Sequence, residues 1–263
     1  MAVKKLEPSF HSKVWGATAL QPWFPDSTEK TGEVWYHFAG SPLLVKFLFT
    51  TEKLSVQVHP DDAYAGAHEN GSLGKTEMWY ILRATPDAKI ALGFKQEMTP
   101  EKLRESAQSG EIMELLNWIP AHAGDTFFVA PGTVHALGEG LALVEVQQFS
   151  DVTYRLYDYG RDRPLHLDQS MDVSHCGVYE QKPAPVGTIA SCDLFKVEKH
   201  NWHGSFTYAA RKSRFELLIV LEGTGTFAGA RYQPGECWLI EAGTANFRVV
   251  ADGDTKLLRA YVG

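Results

Sequence analysis

The chain has 263 residues, 44% of them hydrophobic and 12% aromatic, and a formal net charge of −7. That length holds one large domain or two moderate ones with a full core, and the mixed charge leaves no basic footprint for nucleic acid or for an anionic membrane surface. Cys176, Cys192 and Cys237 are odd in number and form no C-x-x-C, no apolar stretch follows Lys4 and Lys5, and no run is long enough to span a bilayer, so free thiols and a cytoplasmic location are expected.

Residues 1–40, with Pro8, Pro22, Pro25 and aromatics from Phe10 to Trp35, read as an irregular wrap with room for short strands laid over a sheet. Residues 43–49 (LLVKFLF) read as a buried strand from their apolar run. In 54–82, two extended runs flank a polar connection in which the segment after Pro60 can form one short helix. Gln57 and His59 share one strand face. Lys75, Glu77, Trp79 and Ile81 share another, so burying Trp79 and Ile81 carries Glu77 inward, where a carboxylate is costly unless paired or metal-bound. His, Glu and Gln converging from adjacent strands predict an oxygen- and nitrogen-rich metal site.

Residues 87–93 predict another strand, and 99–119 a helical stretch capped by Thr99 and Pro100 and split at Gly110. Strand patterns return over 121–137, 141–150 and 151–160. Residues 161–190, with Pro164, Gly177, Pro183, Pro185 and Gly187, read as a connector. From 191 onward, short strands separated by Gly turns indicate a β-sandwich or barrel.

The chain also repeats itself. The segment from Gly124 to His135 aligns with Gly235 to Asn246, and Glu77 aligns with Glu216 at the head of a similar strand. The copies differ at the metal-type residues: Asn246 stands where His135 stands, and no Gln-x-His precedes Glu216. One metal site, in the first copy only, is the expectation.

Four motifs in order, Gln-x-His-Pro-Asp-Asp (57–62), Lys-Thr-Glu-x-Trp-Tyr (75–80), Pro-Gly-x-x-His-Ala (131–136) and Ser-Asp-x-x-x-Arg (150–155), resemble the type I phosphomannose isomerases of the cupin superfamily. Glu7-Pro8, Lys13-x-Trp15-Gly16 and the run from Ser41 to Lys46 look like that family too, so the likeness covers nearly the whole chain. It implies a mainly β fold of two cupin-type jelly-roll barrels, residues 1–165 with a short helical insertion near 99–119, and residues 166–263 as a degenerate, metal-free copy. It implies one zinc held by Gln57, His59, Glu77 and His135, although iron, manganese, cobalt or nickel suit these ligand types as well. It further implies a pocket using Lys75, Glu145, Asp151 and Arg155. Some bacterial members place a His before that Lys; here the position is Gly74.

The implied reaction interconverts mannose 6-phosphate and fructose 6-phosphate through an enediol, the metal stabilising developing negative charge. Arg155 would neutralise the enediolate or the phosphate, with an ion pair to Asp151 or Asp158 as its structural alternative. Lys75 would contact substrate oxygens, or shuttle a proton if its pKa is depressed. Either Glu145 or Asp151 could be the base; both share strand parity with Arg155 if the run is continuous. Arg161 and Arg163 are further phosphate candidates. The remaining alternatives are a non-catalytic sugar-phosphate-binding cupin and a cupin oxygenase, the latter disfavoured by Gln57 in place of a histidine. The expected partner is a sugar phosphate, with the chain a monomer or homodimer.

Overall fold

The computed structural model describes residues 2–180 and 185–263; of the expected connector, Pro183 lies outside the described residues. The chain is mainly β, arranged in four antiparallel sheets. The first large sheet runs, edge to edge, through Ser9–Ala17, Thr31–Tyr36, Leu43–Phe49, Leu141–Gln148, Glu77–Ala84 and Thr126–Val129. A five-stranded sheet faces it, ordered Tyr154–Tyr157, Val56–Val58, His135–Leu137, Lys89–Phe94 and Leu116–Pro120. Between them pack Trp79, Ile81, Leu92, Leu137 and Leu143. The helices Pro100–Ser109 and Leu167–Val173 cover the outer face of the smaller sheet, Leu103 of the first packing with Val56, Phe94 and Leu156. No helix among the described residues is long and apolar enough to cross a membrane.

The other face of the large sheet is also buried. Met78 and Tyr80 point away from Trp79 and Ile81 and meet Leu217, Ile219 and Leu258 from the third sheet in one shared core. Each large apolar side chain buried there contributes about 1.5–3 kcal/mol relative to exposure, so the halves are joined by a core and not by a polar seam. Val3–Lys5 strengthens the joint by pairing with Cys237–Ile240 on the third sheet.

Local chemistry accounts for the element ends. Asp61 accepts the Tyr64 amide at 2.8 Å and starts the helix Asp62–His68, as its Pro60-led sequence predicts. Thr99 caps the Lys102 amide, and Gly110 closes that helix in the left-handed region, φ 86°. The sequence reading fails beyond Gly110. Only Ile112–Leu115 is helical there, and Leu116–Pro120 is a strand paired with Lys89–Phe94, because tertiary pairing overrides a weak helical pattern. The wrap is more regular than expected: Ser9–Ala17 and Thr31–Tyr36 are strands of the main sheet. The connector holds the helix Leu167–Val173.

The repeat holds residue by residue. Glu77 faces Val129 and Glu216 faces Ile240; Trp79 faces Phe127 and Leu218 faces Trp238. Continuing across each sheet, Trp79 pairs with Glu145 and Glu145 with Lys46, while Leu218 pairs with Arg259 and Arg259 with Glu198. The buried Lys46–Glu145 pair of the first copy is therefore reversed in sign in the second. That reversal places Arg259 Nη1 3.5 Å from the fully buried Glu216, and Arg211 Nε lies 3.4 Å from the same carboxylate. Replacing Arg259 by Met removes one of two cations from a buried carboxylate and is expected to destabilise the protein by about 2–3 kcal/mol. Adding Glu216→Leu should recover most of that loss, as read by chemical denaturation.

Candidate metal centre and cavity

The expected ligands lie between the first two sheets. Glu77 and Trp79 face inward from the large sheet; from the smaller one, Gln57 and His135 are direct cross-strand partners, with His59 just beyond. The Pro131-Gly132-Thr133 turn sets the last ligand. Gly132 takes φ 81°, which a glycine tolerates without strain; its amide donates to the His59 carbonyl at 2.8 Å. The Thr133 carbonyl then accepts His135 Nδ1–H at 2.8 Å, and the Val152 carbonyl accepts His59 Nδ1–H at 2.8 Å. Both imidazoles are thereby oriented with Nε2 turned inward.

His59, Glu77 and His135 are buried, and one donor atom from each lies within 4.8 Å of the others. Glu77 Oε1 is 3.4 Å from His135 Nε2 and 3.8 Å from His59 Nε2. His59 Nε2 and Glu77 Oε1 make no hydrogen bond despite full burial. Orphaned buried donors of this kind are rare unless something satisfies them, and two imidazole nitrogens with a carboxylate oxygen suit a divalent cation. Burial pushes His135 down to about 4, and it holds His59 well below its ordinary value, with the Lys75 ammonium adding to the effect. Both rings are thus neutral, with lone pairs available. Gln57 donates its amide Nε2–H to His135 Nε2 at 3.1 Å; a coordinating Gln uses its oxygen, so that amide must make a half-turn.

A cavity adjoins this cluster at Gln57 and is lined by Gln57, Lys75, Trp79, Glu145, Asp151 and Arg155 among others. All four pocket residues expected from the sequence therefore line one space. Their arrangement differs from the expectation in one respect: 141–160 is not one continuous strand. Glu145 lies on Leu141–Gln148 of the large sheet and Arg155 on Tyr154–Tyr157 of the facing sheet, so they meet across the cavity and not by strand parity.

Lys75 Nζ is 3.0 Å from Glu77 and 3.7 Å from Glu145. Burial opposes its charge, but Glu145, Glu77 and Asp151 together outweigh burial and push its pKa up. The protein surroundings therefore hold Lys75 as an ammonium and do not depress it toward a proton-shuttling range. Gly74, just before it, admits no side chain: a Cβ would stand 2.3 Å from the Asp61 carbonyl carbon. Burial and the nearby Glu77 raise Glu145, against the pull of Lys75, Lys46 and the Trp79 Nε1–H bond of 2.9 Å. Asp151 is moved the other way: desolvation would raise it, but Lys46, Lys75 and Lys13 hold it below the usual carboxylate range.

Arg155 has no carboxylate within 4 Å among the described residues; its Nη1 donates to the Pro164 carbonyl at 2.8 Å. Of the two expected alternative partners, Asp151 pairs with Lys46 at 3.3 Å, and Asp158 is taken by Arg163 through two bonds of 2.6 Å and by Arg161 at 3.4 Å. Arg163 lines the cavity and Arg161 does not.

Sequence reasoning gave no role to Lys46. It is 1% exposed, 3.3 Å from Asp151, 3.6 Å from Glu145, and 4.5 Å from the Trp35 ring centre. A lone lysine inside LLVKFLF was the available signal, since a buried ammonium needs anionic partners.

Comparison with known proteins follows this geometry. No protein-family model matches the chain. The mannose-6-phosphate isomerase ManA of Bacillus subtilis is 35% identical over 92% of this chain and 94% of its own. The chain belongs to the mannose-6-phosphate isomerase family. A mannose-6-phosphate isomerase of Streptococcus mutans is 39% identical, covering 84% of this chain and 85% of that relative. The mannose 6-phosphate isomerase crystal structure from Bacillus subtilis superposes with a TM-score of 0.86 at 30% identity, covering 99% of each chain. A mannose 6-phosphate isomerase bound with zinc and yttrium shares the fold, with a TM-score of 0.77 at 17% identity over all of both chains.

Two outcomes test the centre of this family member. His135→Ala should abolish stoichiometric binding of a divalent ion in dialysis followed by metal analysis, whereas Asn246→Ala should leave it intact. Because His135 is harder to protonate folded than unfolded, the unfolded chain binds more protons between pH 6.5 and about 4. Metal-free protein should therefore lose stability as pH falls through that window, by on the order of 3 kcal/mol from this group. A denaturation series should show a shallower slope in His135→Asn.

Proposed function

We propose that the cavity carries out its family's reaction, interconverting mannose 6-phosphate and fructose 6-phosphate, around one divalent ion held by Gln57, His59, Glu77 and His135. The observation that carries this reading is the set of orphaned buried donor atoms on His59 and Glu77, next to Gln57 and Lys75 of a cavity whose walls bear more cations than carboxylates. When bound, the ion supplies a Lewis acid that stabilises negative charge on substrate oxygens. Zinc is the preferred ion, on a donor set of two imidazole nitrogens, a carboxylate oxygen and an amide oxygen.

Glu145 is the proton carrier. Its Oε1 makes no hydrogen bond, its Oε2 is fixed by Trp79, and its environment raises its pKa toward neutrality, as a general base requires. It takes the proton from C2 of the aldose as the C2–H bond breaks and charge moves onto the C1 oxygen. It then returns that proton to C1 as the C2 hydroxyl proton passes to the C1 oxygen and the C2 carbonyl forms. Asp151, held ionised by lysines, suits orientation of a substrate hydroxyl. Arg155, opposite Gln57 in strand register, offers its guanidinium to the enediolate oxygen. Lys75 remains charged and donates to substrate oxygens.

Two cupin barrels are the finer reading of the fold, residues 1–165 forming the first and 166–263 the second. The sheets pair over two separate inner cores, which supports that division. It includes two exchanges: the strand Val3–Lys5 sits with the second unit, and the helix Leu167–Val173 covers the first. Three unpaired cysteines suit a cytoplasmic setting.

Zinc-loaded protein should form fructose 6-phosphate from mannose 6-phosphate in a coupled assay. Binding without turnover would instead indicate a sugar-phosphate receptor, and oxygen uptake restored by ferrous ion would indicate an oxygenase. Glu145→Gln should retain metal and substrate binding but lose about 10²–10⁴-fold in kcat. In the unaltered enzyme, kcat/KM should fall on acidification through a pKa above the ordinary carboxylate value, because only ionised Glu145 accepts the proton.

A further inference from the structure

The cavity wall carries five cationic side chains, Lys13, Lys46, Lys75, Arg155 and Arg163, against the carboxylates Glu33, Glu145 and Asp151. Most are already neutralised. Lys46 lies between Glu145 and Asp151, Lys75 between Glu77 and Glu145, and Arg163 is held bidentately by Asp158. Two are weakly held. Arg155 is beside Gln57, at the metal end. Lys13 belongs to the edge strand Ser9–Ala17, separated from the Glu77 strand by three others. Among the described residues Glu33, at 3.4 Å, is the one carboxylate within 4 Å of it, with Asp151 farther off but feeling its charge, and the same Glu33 oxygen already accepts Trp35 Nε1–H at 2.8 Å. The Lys13 side chain is 33% exposed, so its ammonium is within reach of a ligand.

The backbone here is built to present it. The register between Ser9–Ala17 and Thr31–Tyr36 shifts between His11 and Ser12 and again between Ser12 and Ala17. A bulge of this kind re-aims side chains, and Lys13 and Trp15 both line the cavity. Gly32 lies beneath the lysine stem, where a Cβ would come within 2.5 Å of Lys13 Cβ and Cγ.

We propose that Lys13 grips the phosphate of the substrate at the outer end of the cavity and sets the preference for phosphorylated over free sugar. A hexose 6-phosphate carries its reacting carbons at one end and its dianion at the other, and the two weakly held cations are divided in the same way. Trp15, two residues along the same strand, adds an apolar wall to the cavity. The assignment rests on the isomerase reading, and the test separates the two.

Zinc-loaded unaltered protein, Lys13→Gln and Lys13→Arg are titrated calorimetrically with mannose 6-phosphate and with inorganic phosphate, then assayed for turnover. Losing one charge-assisted contact should weaken both affinities on the order of tenfold in Lys13→Gln and raise KM equally, with kcat within about threefold. Lys13→Arg should keep both within about threefold of the unaltered protein. Absent turnover by the unaltered protein would remove the isomerase reading while the titrations still report on Lys13. Affinities for both phosphates unchanged in Lys13→Gln, or a fall in kcat at constant KM, would overturn the assignment.

Discussion

A carboxylate with no access to water dictates the layout of this protein. Glu77 is carried inside by the strand that buries Trp79 and Ile81, and an ionised group there demands a compensating positive charge. The two halves of the chain meet the same demand differently. In the first, Lys75 stands 3.0 Å away and two imidazoles converge on the carboxylate, a donor set suited to a divalent cation. In the second, the equivalent Glu216 faces two arginines, Arg259 and Arg211, in place of the imidazoles. The exchange of Lys46–Glu145 for Glu198–Arg259 puts a cation on the strand next to Glu216. One scaffold thus supports a copy whose carboxylate meets imidazoles and a copy whose carboxylate meets arginines, with a sign reversal at one cross-strand pair beside it.

Outward from Glu77 the charges alternate: Lys75, Glu145, Lys46 and Asp151 follow one another at 3.0 to 3.7 Å. Beyond Asp151, which Lys13 helps keep ionised, stands the Lys13–Glu33 pair. Such a row sets the two carboxyls of the cavity apart chemically. Glu145, deepest and nearest Glu77, is raised; Asp151, nearer the opening and facing three lysines, is lowered. Two carboxyl groups with pKa values pushed apart are suited to different tasks.

Much of this was legible in the residues. The alternation around Glu77 predicted which face turns inward, and the self-alignment of 124–135 with 235–246 matched the register of both sheets. Caps at Thr99 and Gly110 marked one helix because they act through adjacent backbone groups. The misreadings share a cause. Leu116–Pro120 became a strand, and Ser9–Ala17 and Thr31–Tyr36 joined the main sheet, because their partners lie far away in sequence. Lys46 escaped notice because a strand pattern does not identify the carboxylates opposite it.

By itself the sequence determined the periodicities, the caps, the internal duplication and the residue types able to hold an ion, since each depends on near neighbours or on comparing the chain with itself. The tertiary structure alone decided that Arg155 is free of Asp158, that Lys75 stays charged, that Gly74 excludes a side chain, and that Lys13 is turned into the cavity. Electrostatic environment and close packing are sums over groups brought together from distant parts of the chain, and no local pattern contains them.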